Sequence, residues 1–196
     1  MTVIVMNEKL KNYLTSFNVL SEEEITFVAN KVTPTILKKS DYFIRENETS
    51  KEVAFISSGI FRSFYTTSAD EEVTYCFRFE NSFVTAYSSF LTQTKSIENV
   101  QAITDTEIFK ISRDTILKLE KSSPNWVKLL KMLAEQEYLY LEKRVFLLQK
   151  ESAEKRYKDL LINTPNYLQQ IPLNYLASYL GITQRHLSRI RKSIAN

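Results

Sequence analysis

The sequence predicts an α+β fold: an antiparallel unit of many short strands of the jelly-roll kind, then a long helix suited to dimerisation, then a terminal helix-turn-helix. Three observations point there. Between residues 32 and 111 the chain is dense in β-branched and aromatic residues, as in EVAFISSGIFRSFYTT and EVTYCFRF. From Pro124 to Glu151 it holds no Gly, Ser or Thr, which suits one uninterrupted helix of about seven turns. Its last acidic residue is Asp159, and beyond it lie Arg185, Arg189, Arg191 and Lys192. The net charge of +3 therefore rests on a near-neutral body and a small basic end.

Residues 8 to 30 read as helical. Ser21 followed by Glu24 is a capping box for a helix carrying Ile25, Phe27 and Val28. In EVTYCFRF, Val73, Tyr75, Phe77 and Phe79 share one face of a strand, and Thr74, Cys76 and Arg78 the other. Ser68 to Asp70 separates this strand from the preceding one and suits a hairpin loop. NVQAITDTEIFKIS offers two further strands, broken at Thr104-Asp105.

Pro124 belongs in the first turn of the long helix. Trp126, Leu133, Tyr140 and Leu147 lie on its apolar stripe, the last three at intervals of seven, as in a coiled-coil seam. A helix this long cannot bury two faces against one small β-unit. The expectation is a homodimer through Trp126, Leu133, Tyr140 and Leu147, the alternative being a long helix within one domain. Ser152 then caps AEKRYKDLLIN, with a domain boundary between Gln149 and Ser152.

IPLNYLASYLGITQRHLSRIRKSI reads as two helices around a tight turn. Gly181 suits the left-handed position after the first helix, and Thr183 the N-cap of the second. Leu187, Ile190 and Ile194 form an inward stripe. Gln184, Arg185, Ser188, Arg189 and Lys192 form an opposite face with long donors and no carboxylate. Arg can fork onto guanine and Gln onto adenine, which makes this the layout of a recognition helix. An ordinary helical hairpin with a wet basic face is the competing reading.

Composition excludes much else. Only 2 Gly leave no phosphate loop or dinucleotide fingerprint, and a lone Cys leaves no disulfide and no Cys cluster for zinc or iron–sulfur. His186 is the single histidine, and nothing near it in sequence would activate it, so no enzyme, metal site or cofactor is expected. MTVIVM is too short for a signal peptide and no apolar run reaches bilayer length, so a cytoplasmic protein with no membrane partner is expected. Asp41, Glu46 and Glu48 read as a charged loop. A sensor in which the strands bind a small molecule is the functional alternative, with Arg62, Arg78 and Tyr87 as its pocket. Against it stands a unit filled by Phe and Tyr whose arginines snorkel to water.

LASYLGITQRHLSRIRK resembles the helix-turn-helix of the Crp/Fnr superfamily of bacterial transcription regulators, through Leu176-Ala177, Leu180-Gly181 and Leu187-Ser188-Arg189. LKKSDYFIRENETSKEVAFISSGIFRSFY is similar to that superfamily's cyclic-nucleotide-binding β-roll, and residues 124–150 to its dimerisation helix. The resemblance covers nearly the whole chain. It implies a sensor domain at 1–123, a dimerisation helix at 124–150 and a DNA-binding domain at 151–196. It implies double-stranded DNA as partner, a homodimer, and RNA polymerase as a further partner. Gln184, Arg185 and Arg189 would read bases, and Thr183, His186, Ser188, Arg191 and Lys192 would meet phosphates. The superfamily adds a β-hairpin wing after this helix; the sequence runs to Asn196 without one, so a helix-turn-helix lacking its wing is expected. Ser40 and Asn47 stand where β-roll turns often hold Gly. Members that bind cyclic AMP use a Gly-Glu segment and, about a dozen residues on, an Arg. Thr85-Ala86 and Ser96-Ile97 stand there instead, with Lys95 the nearest cation. The expectation is a degenerate pocket that takes no cyclic AMP, with any effector unknown.

Overall fold

The computed structural model describes residues 2–195. Two helices, α1 (Thr2–Thr15) and α2 (Glu22–Ala29), precede β1 (Thr33–Leu37), β2 (Tyr42–Ile44), β3 (Glu52–Ser58), β4 (Phe61–Thr66), β5 (Glu72–Arg78) and β6 (Ser82–Val84). Then come α3 (Tyr87–Thr92), β7 (Asn99–Ala102), β8 (Thr106–Ser112), α4 (Arg113–Ser122) and α5 (Pro124–Lys150). The chain ends with α6 (Ala153–Asn163), α7 (Pro165–Leu168), α8 (Leu173–Tyr179) and α9 (Gln184–Ala195). Two four-stranded sheets, ordered β1-β8-β3-β6 and β2-β7-β4-β5, make the roll. In the first, β8 pairs antiparallel with both β1 and β3.

The expected caps form. Ser21 Oγ accepts the Glu24 N–H at 3.2 Å while the Glu24 carboxylate accepts the Ser21 N–H at 2.8 Å. Ser152 Oγ accepts the Lys155 N–H at 3.3 Å and starts α6 where the sequence places it. The helix-turn-helix reading gives no place to α3, α4 or α7, and the sequence reading passes over all three.

The chain divides into two compact units, residues 1–63 with 77–134, and 64–76 with 135–196. This differs from the three-part division expected: the boundary falls within α5, and the tip of the β4–β5 hairpin groups with the C-terminal segment. In the first unit, alternate residues of β3 and β8 serve two cores, because both faces of a sandwiched strand are buried. Ala54, Ile56 and Ile108 join Phe61, Val84, Ala86, Val100 and Ala102 inside the roll. Phe55, Phe109 and Ile111 pack with Leu10, Leu14, Ile25, Val28, Leu119, Trp126 and Leu129 from the helices.

That second core corrects the dimer assignment. Trp126 is only 4% exposed and sits inside it, so no partner can cover it. Leu133 is half-buried against the same core, and Tyr140 and Leu147 are half-buried too. The stripe read as a seam thus faces its own chain over its first half. The apolar side chains that α5 leaves exposed are others: Val127, Tyr138 at 64%, Leu139, Leu141, Val145, Phe146 and Leu148. Val127, Tyr138, Leu141, Val145 and Leu148 fall on one heptad stripe with Ala134, at the alternating three- and four-residue steps of a coiled-coil core.

Eight positions with positive φ punctuate the described loops, and both glycines are among them. Ser40 and Asn47 take the left-handed conformation at φ 76 and 69, as their place in the sequence implies. Gly59, at φ 98, cannot be replaced cheaply, since a Cβ there would lie 2.6 Å from the Asp105 carbonyl oxygen.

Candidate nucleic-acid interface

The second helix of the terminal motif is built as its sequence pattern requires. Leu187 and Ile190 are buried with Leu176, Ala177 and Leu180 of the preceding helix, and Ala177 keeps that crossing close. The turn between the helices is a Schellman motif: the Gly181 N–H donates to the Ser178 carbonyl at 3.0 Å and the Ile182 N–H to the Ala177 carbonyl at 3.0 Å. Gly181 takes φ 67, which costs glycine nothing. Thr183 then caps α9, its Oγ1 accepting the His186 N–H at 3.2 Å and its carbonyl the Leu187 N–H at 3.0 Å.

This packing turns Gln184, Arg185, Arg189 and Lys192 into solvent. Arg185, Arg189 and Lys192 lie within one sector of the helix, opposite Leu187 and Ile190, since successive residues advance by about 100°. Gln184 and Arg191, also exposed, edge that sector on one side. His186 and Ser188 are half-buried. The Thr183 hydroxyl is engaged as the cap acceptor, so toward a phosphate it retains its proton as a donor. No acidic side chain lies on α9, so no carboxylate of its own helix neutralises its cations.

Two arginines that the sequence reading misses hold the C-terminal end of α8. The Arg144 Nη2 donates to the Tyr179 carbonyl at 2.6 Å, and its guanidinium lies 3.6 Å from the centre of the Tyr179 ring. The Arg156 Nη2 donates to the Leu180 carbonyl at 2.8 Å, and its Nη1 to the Glu151 and Leu148 carbonyls at 2.6 and 3.3 Å. Cations at the ends of helices satisfy orphan carbonyls and oppose the negative end of the helix dipole. Burial, and secondarily the nearby Arg144 charge, lower the Arg156 pKa from its ordinary value. Arg144 lies within α5 and Arg156 in the first turn of α6, both far in sequence from the carbonyls of α8 that they meet, so only tertiary packing reveals the contact.

The residues expected to line an effector pocket occupy three environments. Arg62 is 2% exposed, with Nε and Nη2 donating to Gln101 Oε1 at 3.0 and 2.8 Å. The snorkelling expected of it does not occur, because Gln101 on the neighbouring strand supplies an acceptor inside the roll and passes the chain on from its Nε2 to the Ser40 carbonyl at 3.1 Å. Arg78 is half-buried and Tyr87 exposed. Nor is the interior chiefly Phe and Tyr, since aliphatic side chains make up most of it.

Around α3, hydroxyl groups are tied to the protein itself. Thr85 Oγ1 donates to the Glu52 carbonyl at 2.9 Å and lies 2.8 Å from Ser50 Oγ. Ser89 Oγ accepts the Ser50 N–H at 2.9 Å and donates to the Thr94 carbonyl. Ser96 Oγ donates to the Glu98 carbonyl at 2.7 Å and accepts the Glu98 N–H at 3.1 Å. Ala86 is fully buried, whereas Ile97 is 79% exposed.

The cyclic nucleotide-binding domain family matches residues 34–123. The chain is 26% identical over 165 residues to the transcriptional activator protein Anr of Pseudomonas aeruginosa, covering 79% of this chain and 67% of that one. In fold it is similar to FixK2 from Bradyrhizobium japonicum, with a TM-score of 0.75 at 18% identity over 84% of each chain. It is also similar to a protein of the Crp/Fnr family from Eubacterium rectale, with a TM-score of 0.72 at 17% identity, covering 94% of this chain and 88% of the other.

Proposed function

We propose that this chain is a transcription regulator of the Crp/Fnr type that binds duplex DNA as a homodimer, laying α9 of each protomer in a major groove, and that its β-roll takes no cyclic AMP; the domain match over residues 34–123 and the likeness to Anr and FixK2 support this reading. The observation that carries this reading is the acid-free face of α9. Gln184, Arg185 and Arg189 are exposed above a helix whose opposite side is locked by Leu187 and Ile190. Gln184, Arg185 and Arg189 read base edges; Thr183, His186, Ser188, Arg191 and Lys192 face the backbone, where contacts fix register without sequence information. RNA polymerase is the partner class such a DNA-bound regulator would address.

Two recognition helices related by a dimer axis enter successive major grooves roughly 34 Å apart, on half-sites centred about 10 base pairs apart. Selection from random duplexes at low salt is expected to yield a near-palindrome with that spacing. Recovery of no motif at all would remove the DNA-binding reading.

The hydroxyls around α3 support the second half of the proposal. A cyclic phosphate needs a cationic fork and free donors. Thr85 and Ser96 give their protons to carbonyls, and Lys95 is a point charge rather than a fork. Titration calorimetry with millimolar cyclic AMP or cyclic GMP is expected to show no heat of binding. A micromolar dissociation constant for either would overturn it.

A further inference from the structure

The second half of α5 and both helices of the terminal motif belong to one compact unit. Tyr138, Leu141, Val145 and Leu148, the exposed stripe that would meet a second copy of the chain, thus ride on the same body as the recognition helix. On another side of that stretch of α5, Tyr140 and Arg144 stand one turn apart and grip a single residue at the end of α8, Tyr179. The Arg144 Nη2 donates to the Tyr179 carbonyl at 2.6 Å while its guanidinium lies 3.6 Å from the ring centre. The Tyr140 hydroxyl lies 3.3 Å from the Tyr179 hydroxyl, at the far end of the same ring. One point of contact would leave α8 free to slide or swivel on α5. Backbone, ring face and ring tip held together do not.

The residues on either side are held by other elements. Ser178 Oγ accepts the Thr74 N–H at 2.9 Å and donates to the Glu72 carbonyl at 3.2 Å, and Arg156 of α6 takes the Leu180 carbonyl. From Tyr179 the path to α9 is short and rigid. The Gly181 and Ile182 N–H groups close the turn onto Ser178 and Ala177, Thr183 caps α9, and Leu187 and Ile190 are buried. A Cβ on Gly181 would lie 3.7 Å from Leu148 Cδ2, so α5 also passes beside this turn.

We propose that Arg144 is a positioning residue that sets the separation of the two recognition helices, and so makes the dimer selective for the number of base pairs between its half-sites. This rests on the reading of the chain as a dimeric DNA-binding regulator. Base identity is read by α9; spacing is read by how α9 is carried. One added base pair moves a half-site by about 3.4 Å and turns it by about 35° round the duplex. A carrier that does not yield meets this by deforming the DNA or by giving up contacts, and both cost affinity. Arginine suits the place because a flat guanidinium stacks on a ring and donates in its own plane to a carbonyl, whereas an ammonium is a point charge on a flexible stem.

The test is competition binding of the full chain to duplexes that carry the selected half-site pair at its selected spacing, or with one base pair added or removed. Wild type is expected to prefer the selected spacing by roughly tenfold or more. Arg144→Met is expected to cut that preference to about threefold or less, and Arg144→Lys, which keeps the charge and loses the stacked fork, to do the same. Base preferences within each half-site are expected to stay those of the wild type, because α9 is untouched. An unchanged spacing preference in Arg144→Met overturns the proposal, and so does full rescue by Arg144→Lys, which would make the residue a charge and nothing more. Equal weakening on all three duplexes also overturns it, since lost stability or lost charge acts that way. Should Arg144→Met fail to fold, Tyr179→Phe carries the comparison: it keeps the ring, removes one hydroxyl from the grip, and is expected to lower the preference by about threefold. No change there overturns the proposal equally. A wild type that binds the selected pair at every spacing alike sinks the spacing role alone, whereas one that binds no duplex sinks the DNA-binding reading beneath it.

Discussion

Replacing Leu141 and Val145 together by aspartate is expected to take the protein from a dimer to a monomer at micromolar concentration, so that sedimentation reports 22.9 kDa rather than twice that mass. Both side chains are exposed on the chain itself, so the change leaves each protomer's own cores untouched. In a symmetric parallel pair each position meets its own copy across the axis. Two substitutions then place four carboxylates in a seam that water leaves on association. Burying even one unpaired charge costs several kcal/mol, comparable to or larger than the whole margin of a micromolar dimer, about 8 kcal/mol, once four are counted. Leu133→Asp is the contrasting case. Leu133 packs against the core of Trp126 and Leu129, so its replacement lowers the melting temperature before it affects association. If Leu141→Asp/Val145→Asp still sediments as a dimer, the seam runs elsewhere on α5.

Arg189→Ala is expected to give the largest loss on the DNA side. A bidentate Arg–guanine pair is worth about 1–3 kcal/mol of discrimination. A palindrome presents it twice, so the dimer loses roughly 2–6 kcal/mol, or about 30-fold to more than 10,000-fold in affinity for the selected site. Because Arg189 is exposed on α9 and its aliphatic neighbours Leu187 and Ile190 are the buried ones, the variant keeps its fold. Its selected motif should lose preference at one symmetric pair of positions and keep the rest. Lys192→Ala makes the complementary change. It should weaken specific and random duplexes alike and reduce the salt slope by about one unit per half-site, as a phosphate contact does. Identical motifs from wild type and Arg189→Ala would mean that Arg189 does not read a base.

What the sequence made legible and what it hid have physical causes. The ends of α2, α6 and α8 were readable because each is fixed by local chemistry: Ser21 with Glu24, Ser152, and Gly181 bond only to residues within a few positions. Helix α4 went unread although Ser112 caps it and Asp114 sits in its first turn. β8 runs straight into it at Ser112–Arg113 with no Gly or Pro to mark the change of period. On α5 the difficulty was excess of signal. Apolar residues occur around most of the helix, so two heptad stripes coexist, and periodicity cannot say which faces the chain's own core. Burial decided it: Trp126 and Leu129 turn inward, Tyr138, Leu141 and Val145 outward. Arg62 was recognised as polar among apolar strands, but its acceptor lies 39 residues on, at Gln101, beyond any local rule. The exposed basic face of α9 was the most legible part, since one helix presents all of it.

The hairpin's attachment to Ser178 has a consequence for how the chain is made. Thr74 leaves the ribosome 104 residues before the serine that satisfies its N–H. At ordinary elongation rates of about 5–20 residues per second, that is a wait of roughly 5–20 s. Throughout it, a strand end carrying Thr74 and Cys76, both buried in the finished protein, has no helix to cover it. The roll is the part synthesised first, yet its β4–β5 hairpin is completed last. An uncovered strand edge is a template for pairing with another chain. The nascent β-roll is therefore most exposed to misassociation on crowded polysomes, until α8 emerges.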